Sequence, residues 1–466
     1  MRKAQGDRGW AAVMLAASVM MLVAPIASPA QTFTTLVNFS GTDGNYPAYG
    51  LVEAIDGNLY GTTNSGGATG QGTLFSMTGA AVLRLLLSFD YTDGQGPQGL
   101  IQIRGGAFYG MSQGGGANGY GTVFRIAAQA QLTTLHSFDS ADGAQPTGWL
   151  VETSDGDLYG TTAGGGGSIS CAGGCGTVFK IAPSGTLITL HTFERTDGFD
   201  PLAGLVLASN GKLYGTTAGG GANDGGTIFS ITPAGVLTTL YNFSGNDGSE
   251  PLGGLVQAKE GDLYGTTEYG GTNDVGTVFK ITPNGTLTTL HSFNSTDGAY
   301  PSAGLLQGTD GNFYGTTYQG GANVYYGTVF EMTPTGNLKT LHSFDSTHGE
   351  LPLSSLTQAT DGSFYGTTSN GGSGGKGTVF NIAVGLGQFV KTLPTFGAAR
   401  DSVTILGTNL IGATNVTFNG TTANFTASKS GTYISTTVPT GATTGPVQVV
   451  TPRGTLTSNV SFQVLP

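Results

Sequence analysis

The sequence predicts an all-β fold, a seven-bladed β-propeller of four-stranded repeats of about 50 residues, followed by an Ig-like β-sandwich. Glycine accounts for 82 of 466 residues, which favours tight turns and short strands. The runs between glycines are rich in β-branched and aromatic residues and lack helical periodicity. A Tyr-Gly step also recurs about every 50 residues, as expected for propeller blades. The repeat tyrosines are Tyr60, Tyr109, Tyr159, Tyr214, Tyr264, Tyr314 and Tyr365.

Each repeat contains four strand-like runs. In the fifth repeat they are GLVQA from Gly254, LYGTT from Leu263, GTVFKI from Gly276 and LTTLHSF from Leu287. The first two runs are joined by a pair such as Asp56-Gly57, which supplies the positive φ angles of a tight hairpin. A glycine-rich loop and a second turn join the others, so we expect an antiparallel meander.

The links between repeats predict how the array ends. Each link carries a proline, which presets a turn and stops the preceding strand. The first run, Thr32 to Phe39, matches the fourth-strand pattern, whereas the last repeat ends near Ala383 without a fourth strand of its own. We therefore expect the N-terminal run to complete the seventh blade and close the ring, which removes free sheet edges. An open or differently phased array is the alternative.

The N-terminus indicates export. Basic residues precede an apolar run, and small residues stand before Gln31, which predicts a signal peptide over residues 1–30. An uncleaved membrane anchor is the alternative. The predicted domains are a propeller over 31–384, a linker over 385–388 and a sandwich over 389–466. We expect a secreted, extracellular or cell-surface protein, or a periplasmic one.

Charge restricts the partners. The formal net charge is −11, and residues 31–388 carry 10 basic against 26 acidic residues. An acidic body without a basic stripe argues against a nucleic-acid partner. We expect contact with a membrane only through the export signal, and a monomer.

The two cysteines, Cys171 and Cys175, lie in an insertion in the third repeat. In an exported protein they predict a disulfide, since a metal site would need two further ligands that the segment does not offer. The closed loop is short, so the bond should stiffen the insertion more than it stabilises the fold.

The LYGTT, GTVFKITP and LTTLHSF segments over residues 32–383 resemble the GloVer tandem repeats of exported bacterial proteins. The resemblance implies export and a repeat β fold, and no established activity. Residues 389–466 resemble an IPT/TIG domain, an immunoglobulin-like module that in extracellular proteins usually serves as a spacer or binding appendage. The matching segments are Pro394 to Gly397, Val403 to Leu410, Val416 to Gly420, Pro439 and Val447 to Val464.

Two repeated polar positions could suggest chemistry. One link position holds an aspartate in six repeats, which favours a turn in which the side chain bonds its own backbone rather than a calcium site. Four histidines share a strand position that elsewhere holds Val, Leu or Tyr, which indicates packing. The positions are Asp43, Asp93, Asp142, Asp197, Asp247 and Asp297, with His348 in the seventh, and His136, His191, His291 and His342.

Acidic residues outside the repeat pattern are the candidates for catalysis. A hydrolase would need two of them paired, one with a raised pKa and one ionised, and nothing in the sequence pairs them. The acids are Glu194, Asp200, Glu268, Asp274 and Glu350. Trp149 is the sole tryptophan after residue 30, so stacking platforms for sugars would have to come from tyrosines such as Tyr269, Tyr318, Tyr325 and Tyr326.

The predicted function is therefore an exported, non-enzymatic scaffold whose propeller binds a protein or polysaccharide, with the C-terminal module as spacer or attachment. No catalytic residue, cofactor or metal ligand is predicted. Two alternatives remain open, a carbohydrate-active propeller enzyme and a cell-surface structural protein.

Overall fold

The computed structural model describes residues 31–127 and 130–466, and every named element in them is a β-strand. The predicted signal peptide, residues 1–30, lies outside the described residues. Within the described ranges no helix is long and apolar enough to cross a membrane.

Residues 32–383 form seven four-stranded antiparallel sheets, one for each repeat. Repeats 1 and 2 comprise β2 (Val52–Glu53), β3 (Leu59–Thr63), β4 (Thr73–Met77), β5 (Leu83–Ser88), β6 (Gln95–Gln102), β7 (Phe108–Gly114), β8 (Thr122–Ala127) and β9 (Gln131–Ser137). Repeats 3 and 4 comprise β10 (Ala144–Glu152), β11 (Leu158–Gly164), β12 (Thr177–Ile181), β13 (Leu187–Thr192), β14 (Val206–Leu207), β15 (Leu213–Thr217), β16 (Thr227–Ile231) and β17 (Leu237–Asn242).

Repeats 5 to 7 follow the same plan. Repeats 5 and 6 comprise β18 (Val256–Gln257), β19 (Leu263–Thr267), β20 (Thr277–Ile281), β21 (Leu287–Ser292), β22 (Leu306–Gln307), β23 (Phe313–Thr317), β24 (Thr328–Met332) and β25 (Leu338–Ser343). Repeat 7 comprises β26 (Thr357–Gln358), β27 (Phe364–Thr368) and β28 (Thr378–Ala383), with β1 (Thr32–Asn38) as its fourth strand. β1 pairs with β28 from Thr32 opposite Ala383 to Asn38 opposite Thr378.

Each sheet is held by the same short-range contacts. The phenylalanine of the third strand lies over the glycine of LYGTT, and a Cβ on Gly215 would come within 2.6 Å of Phe229 Cζ. The second threonine of LYGTT bonds the threonine that opens the third strand, at 2.8 Å between the hydroxyls of Thr217 and Thr227. Repeat 2 keeps this bond with a serine, at 2.8 Å between the hydroxyls of Ser112 and Thr122, so the contacts require a glycine and a hydroxyl side chain at these positions.

The repeat tyrosine is tied to the tight turn before it. Tyr60 Oη donates to Asp56 Oδ2 at 2.9 Å, and Tyr264 Oη donates to Glu260 Oε1 at 2.8 Å. This bond explains why the tyrosine and the acidic turn residue recur together, which the sequence pattern showed without giving a reason.

The first strand predicted from runs such as GLVQA is present in every repeat, but its length differs between repeats. In five repeats this strand has two paired residues, whereas β6 and β10 have eight and nine. The backbone before it faces neighbouring repeats instead of its own sheet. A Cβ on Gly50 would lie 3.1 Å from the carbonyl oxygen of Ser355, and one on Gly253 would lie 2.6 Å from that of Ala303.

Residues 390–464, here called the C-terminal module, form two four-stranded sheets and a short parallel pair around one hydrophobic core. One sheet has the order β29 (Val390–Leu393), β31 (Ser402–Gly407), β35 (Tyr433–Thr437) and β34 (Phe425–Ala427). The other has the order β33 (Thr421–Thr422), β32 (Asn415–Phe418), β36 (Val447–Thr451) and β37 (Gly454–Thr457). The parallel pair is β30 (Phe396–Gly397) with β38 (Gln463–Val464).

One buried carboxylate lies among the contacts of the module with repeats 1 and 7, which also include a bond of 2.9 Å from Thr432 Oγ1 to the Ile55 carbonyl. Glu53 Oε2 accepts from Lys391 Nζ at 2.8 Å. Its Oε1 accepts from Thr360 Oγ1 at 2.6 Å, and both oxygens lie 3.0 Å from the backbone nitrogen of Thr360. Glu53 therefore joins the first repeat, the last repeat and the C-terminal module.

Candidate functional site: the axial cavity

The residue before each link proline has an unusual backbone conformation. Positive φ angles are uncommon in residues other than glycine and concentrate at functional sites. The residues with their φ angles are Tyr46 (61°), Gly96 (63°), Gln145 (54°), Asp200 (52°), Glu250 (53°), Tyr300 (57°) and Leu351 (58°). One backbone conformation thus carries six different side-chain types, one per repeat except for the two tyrosines.

A second varied position lies beside the first. The residue that follows LYGTT donates its backbone N–H to the carbonyl of the pre-proline residue, at 3.0 Å from Asn64 to Tyr46 and 3.0 Å from Glu268 to Glu250. The same bond joins Tyr318 to Tyr300 at 3.0 Å. The repeat scaffold therefore presents two adjacent, non-repeated side chains per link.

Beside these links lies a cavity of about 540 Å³, here called the axial cavity; of the residues at the two varied positions, Tyr46, Asn64 and Gln113 line it. All seven repeats contribute to its wall through the residues after the proline. One residue from each is Tyr49, Gly99, Trp149, Ala203, Gly253, Ala303 and Ser354. Its lining contains no Asp, Glu, Lys, Arg or His; the polar side chains are those of Tyr, Trp, Thr, Ser and two amides, Asn64 and Gln113.

Trp149 lies at the inner end of the axial cavity. A Cβ on Gly204 would fall 2.7 Å from the indole, and Gly254 is equally crowded by the ring, so the indole reaches across repeats 4 and 5. Trp149 also lines a second cavity of about 560 Å³, whose opposite wall includes Phe396 and Val464 of the C-terminal module. The indole therefore lies between the two cavities.

The tyrosines of the wall are neutral. Burial raises the pKa of Tyr46, and the neighbouring Tyr318 raises it further. Burial raises the pKa of Tyr49 well above its ordinary value. Both hydroxyls therefore remain protonated at physiological pH.

The two varied positions of repeat 5 both hold carboxylates. Burial, and then the charge of Glu250, raise the pKa of Glu268 to about 7. The charge of Glu268 in turn raises the pKa of Tyr269, whose ring centroid lies 5.3 Å from that of Tyr300. These link side chains thus change from acidic at repeat 5 to aromatic at repeat 6, and none of the four lines the axial cavity.

The repeated aspartates and histidines lie on the outer strands and their links, away from this cavity. Asp197 Oδ1 accepts from the backbone nitrogen of Glu194 at 2.8 Å, which is the predicted turn bond. Its Oδ2 lies 2.9 Å from His191 Nε2. The histidine position is thus more than packing: the same pairing joins His136 to Asp142 and His291 to Asp297.

His342 departs from this scheme because His348 replaces its aspartate. Its ring stacks on Phe33 of β1 with centroids 3.6 Å apart, and its Nε2 is buried without a hydrogen-bond partner among the described residues. Burial, and then His348, lower the pKa of His342 to about 4.

The sequence profile of the Gloeobacter/Verrucomicrobia repeat matches three overlapping stretches, residues 23–209, 83–261 and 204–436. The chain belongs to this repeat family. The predicted GloVer resemblance is thereby confirmed. Comparison with curated proteins finds no match.

Solved structures share the fold of this repeat protein. A fungal alcohol oxidase of the AA5 family, solved with copper, has a TM-score of 0.52 at 14% identity over 93% of this chain and 99% of the oxidase. The extracellular domain of a hybrid two-component system from B. thetaiotaomicron has a TM-score of 0.51 at 10% identity over 92% of this chain and 54% of that one. At these identities the likeness shows the fold alone.

The acidic residues considered as candidates for catalysis lie in different surroundings. Glu268 is paired, but with Glu250, which the sequence analysis did not single out. Asp200 occupies a pre-proline position, and burial raises its pKa. Asp274 accepts from the backbone nitrogen of Gly270 at 3.0 Å, which gives it a structural role.

Glu194 and Glu350 lie in other contacts. Glu194 accepts a hydrogen bond at 2.8 Å from Ser168 in the insertion of repeat 3. Glu350 forms a backbone bridge with Asn370. Among the described residues no group of three or more His, Cys, Asp or Glu side chains is placed to hold a metal ion.

The disulfide of the third repeat is confirmed, since Cys171 and Cys175 are bonded to each other. Trp149, Tyr46 and Glu250 were missed as site residues. Two signals point to them: Tyr46 and Glu250 occupy a pre-proline column that differs in almost every repeat, and Trp149 stands where repeats 1, 2, 4, 5 and 6 have glycine.

Proposed function

We propose that this protein is an exported, non-enzymatic binding protein. In this proposal the seven sheets close into a seven-bladed β-propeller over residues 31–384, and a ligand, a protein or a polysaccharide, binds at the axial cavity. Residues 389–466 form an IPT/TIG-type Ig-like module that serves as spacer or attachment. The protein acts as a secreted or cell-surface monomer after removal of residues 1–30.

The carrying observation is one uncharged cavity that all seven repeats line with different side chains. Buried positions repeat almost unchanged, as in Phe179, Phe229 and Phe279, all fully buried. The cavity wall, by contrast, takes different residues from different repeats, among them Tyr46 and Trp149. A scaffold of repeated packing with a varied, uncharged, concave surface is suited to hold a ligand.

Two contacts support closure and the role of the module. Repeat 7 bonds repeat 1 through Thr357 and Leu51 and through Thr360 and Glu53. The module adds Lys391 to the latter contact. The Cys171–Cys175 disulfide supports an oxidising compartment, since such bonds persist mainly outside the cytosol.

The test compares two arginine substitutions in the chain of residues 31–466. Leu202 lines the axial cavity and is 36% exposed, so Leu202→Arg should fold and place a charge in the cavity. Val236 lies in an exposed turn between β16 and β17, so Val236→Arg is the matched control. A ligand recovered from glycan and envelope-protein panels should bind wild type and the control and be lost in Leu202→Arg. Equal binding by all three would reject the axial cavity as the site.

A carbohydrate-active enzyme remains the second candidate because one observation favours it. Burial, and then the charge of Glu250, raise the pKa of Glu268 to about 7, which suits Glu268 to the role of proton donor. Incubation with polysaccharides should release no product. Product release that Glu268→Gln abolishes, and that Glu331→Gln in repeat 6 leaves intact, would replace the binding proposal with an enzymatic one.

A further inference from the structure

We propose that the axial cavity binds the terminal one or two units of a neutral saccharide, stacked against Trp149. This inference rests on the proposed binding function and names its ligand class. It is carried by three properties of the cavity: aromatic faces, hydrogen-bonding groups without partners, and the absence of charge from its lining.

The aromatic faces come from different repeats. Trp149 of repeat 3 and both Tyr46 and Tyr49 of repeat 1 line the cavity. The flat C–H faces of a pyranose pack against aromatic rings, and the indole gives the largest such surface. The glycines at 204 and 254 leave room for the indole, so its position is set by the backbone beneath it.

Three polar side chains of the lining are free to bind a ligand, whereas others, such as Thr147 and Ser302, already donate to backbone carbonyls. The side chains of Asn64, Gln113 and Ser355 line the cavity, and no hydrogen bond joins them to other described residues. Each amide offers donors and an acceptor, and Ser355 offers a hydroxyl, which matches the mixed donor and acceptor character of sugar hydroxyls.

Charge and polarity exclude two other ligand classes. A charged group inside the cavity would lose hydration without meeting an opposite charge, which is costly. A hydrocarbon would cover the amides of Asn64 and Gln113 and leave them unpaired, which is also unfavourable. A neutral saccharide satisfies both the rings and the amides.

The size and the closed inner end favour recognition of a chain terminus. The volume of about 540 Å³ lies within the usual range of small-molecule sites. Trp149 lies across the inner end, and the second cavity beyond it is bounded by the C-terminal module. A polysaccharide therefore enters with its end rather than threading through the repeats.

The experiment uses Trp149 as its own reporter, because it is the sole tryptophan of residues 31–466. Neutral oligosaccharides, linear and cyclic, are titrated into that chain while tryptophan emission is followed, with calorimetry in parallel. A saccharide that binds the cavity should shift the emission, and Asn64→Ala should weaken its Kd by about 10-fold. Asn323→Ala, in the outer loop of repeat 6 and away from the cavity lining, is the matched control and should leave the Kd unchanged.

The outcomes separate this inference from the proposed function. If linear saccharides bind and cyclic ones do not, terminal recognition is supported; equal binding of cyclic saccharides overturns it. If no saccharide binds but an apolar dye or a peptide shifts the Trp149 emission and Leu202→Arg abolishes the shift, the saccharide inference is wrong and the binding function stands. If a saccharide binds by calorimetry with no change in emission and no effect of Asn64→Ala or Leu202→Arg, both the inference and the cavity assignment are wrong.

Discussion

Replacing Glu53 should show how far the first repeat, the last repeat and the C-terminal module depend on one carboxylate. Glu53 has a side-chain exposure of 7%, and it accepts hydrogen bonds from Thr360 and from Lys391, whose own side chain is 22% exposed. In Glu53→Ala the ammonium loses its partner in a mostly buried site. The backbone N–H of Thr360, a residue that is 2% exposed, loses its acceptor as well.

The magnitude follows from these losses. Breaking a buried ion pair by removal of one partner typically costs about 3–5 kcal/mol, since the remaining charge is uncompensated. An unsatisfied buried N–H costs about 1–3 kcal/mol by itself and is already part of that range. We therefore expect Glu53→Ala to lower the free energy of unfolding by about 3–5 kcal/mol.

The assay is urea unfolding followed by circular dichroism, with limited proteolysis to locate the part that opens first. Lys391→Met should cost less, because it leaves the Thr360 bonds to Glu53 in place, so the double variant should resemble Glu53→Ala. Glu331→Ala is the matched control: its carboxylate accepts from Asn312 at 2.6 Å within repeat 6 and links no other part of the chain. A loss below 1 kcal/mol in Glu53→Ala would refute the reasoning.

Three further predictions concern single contacts. The pKa of His342 is about 4 in the folded protein and about 6.5 in the unfolded chain, so the unfolded chain takes up a proton first as the pH drops. The free energy of unfolding should therefore fall between pH 6.5 and pH 4, by at most about 3 kcal/mol from this residue. His342→Phe should flatten that part of a pH series of urea midpoints, and an unchanged slope would contradict the assignment. Reducing the Cys171–Cys175 bond should speed proteolysis within residues 166–175 and shift the thermal midpoint little, since the closed loop is short; a large shift would show that the insertion supports the core. Gly215→Ala should destabilise the protein by about 1–3 kcal/mol in urea unfolding because its methyl overlaps Phe229, whereas Gly211→Ala, with open space around its Cβ but φ of 78°, should cost about 1 kcal/mol.

The repeated part of the fold was predictable because local rules fix it. Each LYGTT or GTVFKI run pairs with the run next to it in the chain through a short connection. The β-type residues of the runs and the turn residues between them were therefore sufficient to predict the strand pairing. The fourth strand of repeat 7, residues 32–38, was predictable for another reason. Its sequence matches the fourth-strand motif, and repeat 7 is the repeat that lacks a fourth strand of its own, so the two were expected to pair. The short first strands were not predictable, since their length depends on how closely separate repeats approach each other.

The candidate site was less predictable because it also depends on how closely separate repeats approach each other. Trp149 has its role because Gly204 and Gly254, from two other repeats, lie beneath its ring, and no periodicity encodes that distance. Glu268 was named from the sequence as an unusual acid, but its pKa depends on Glu250 and on burial. The sequence did not reveal the pairing of His191 with Asp197, because the histidine lies on the fourth strand and the aspartate in the link that follows it.

The pre-proline position provides a physical argument that the side chains at these links serve something other than the stability of the fold. Glycine adopts positive φ without strain, and Gly96 shows that the link accepts it. The other six repeats hold larger residues there, at a cost of about 1 kcal/mol each. Packing does not explain them, since Glu250 and Gln145 are exposed and the residues share no size or polarity. This loss of stability supports the proposal that these side chains contact a partner, and Tyr46 is the one among them that lines the axial cavity.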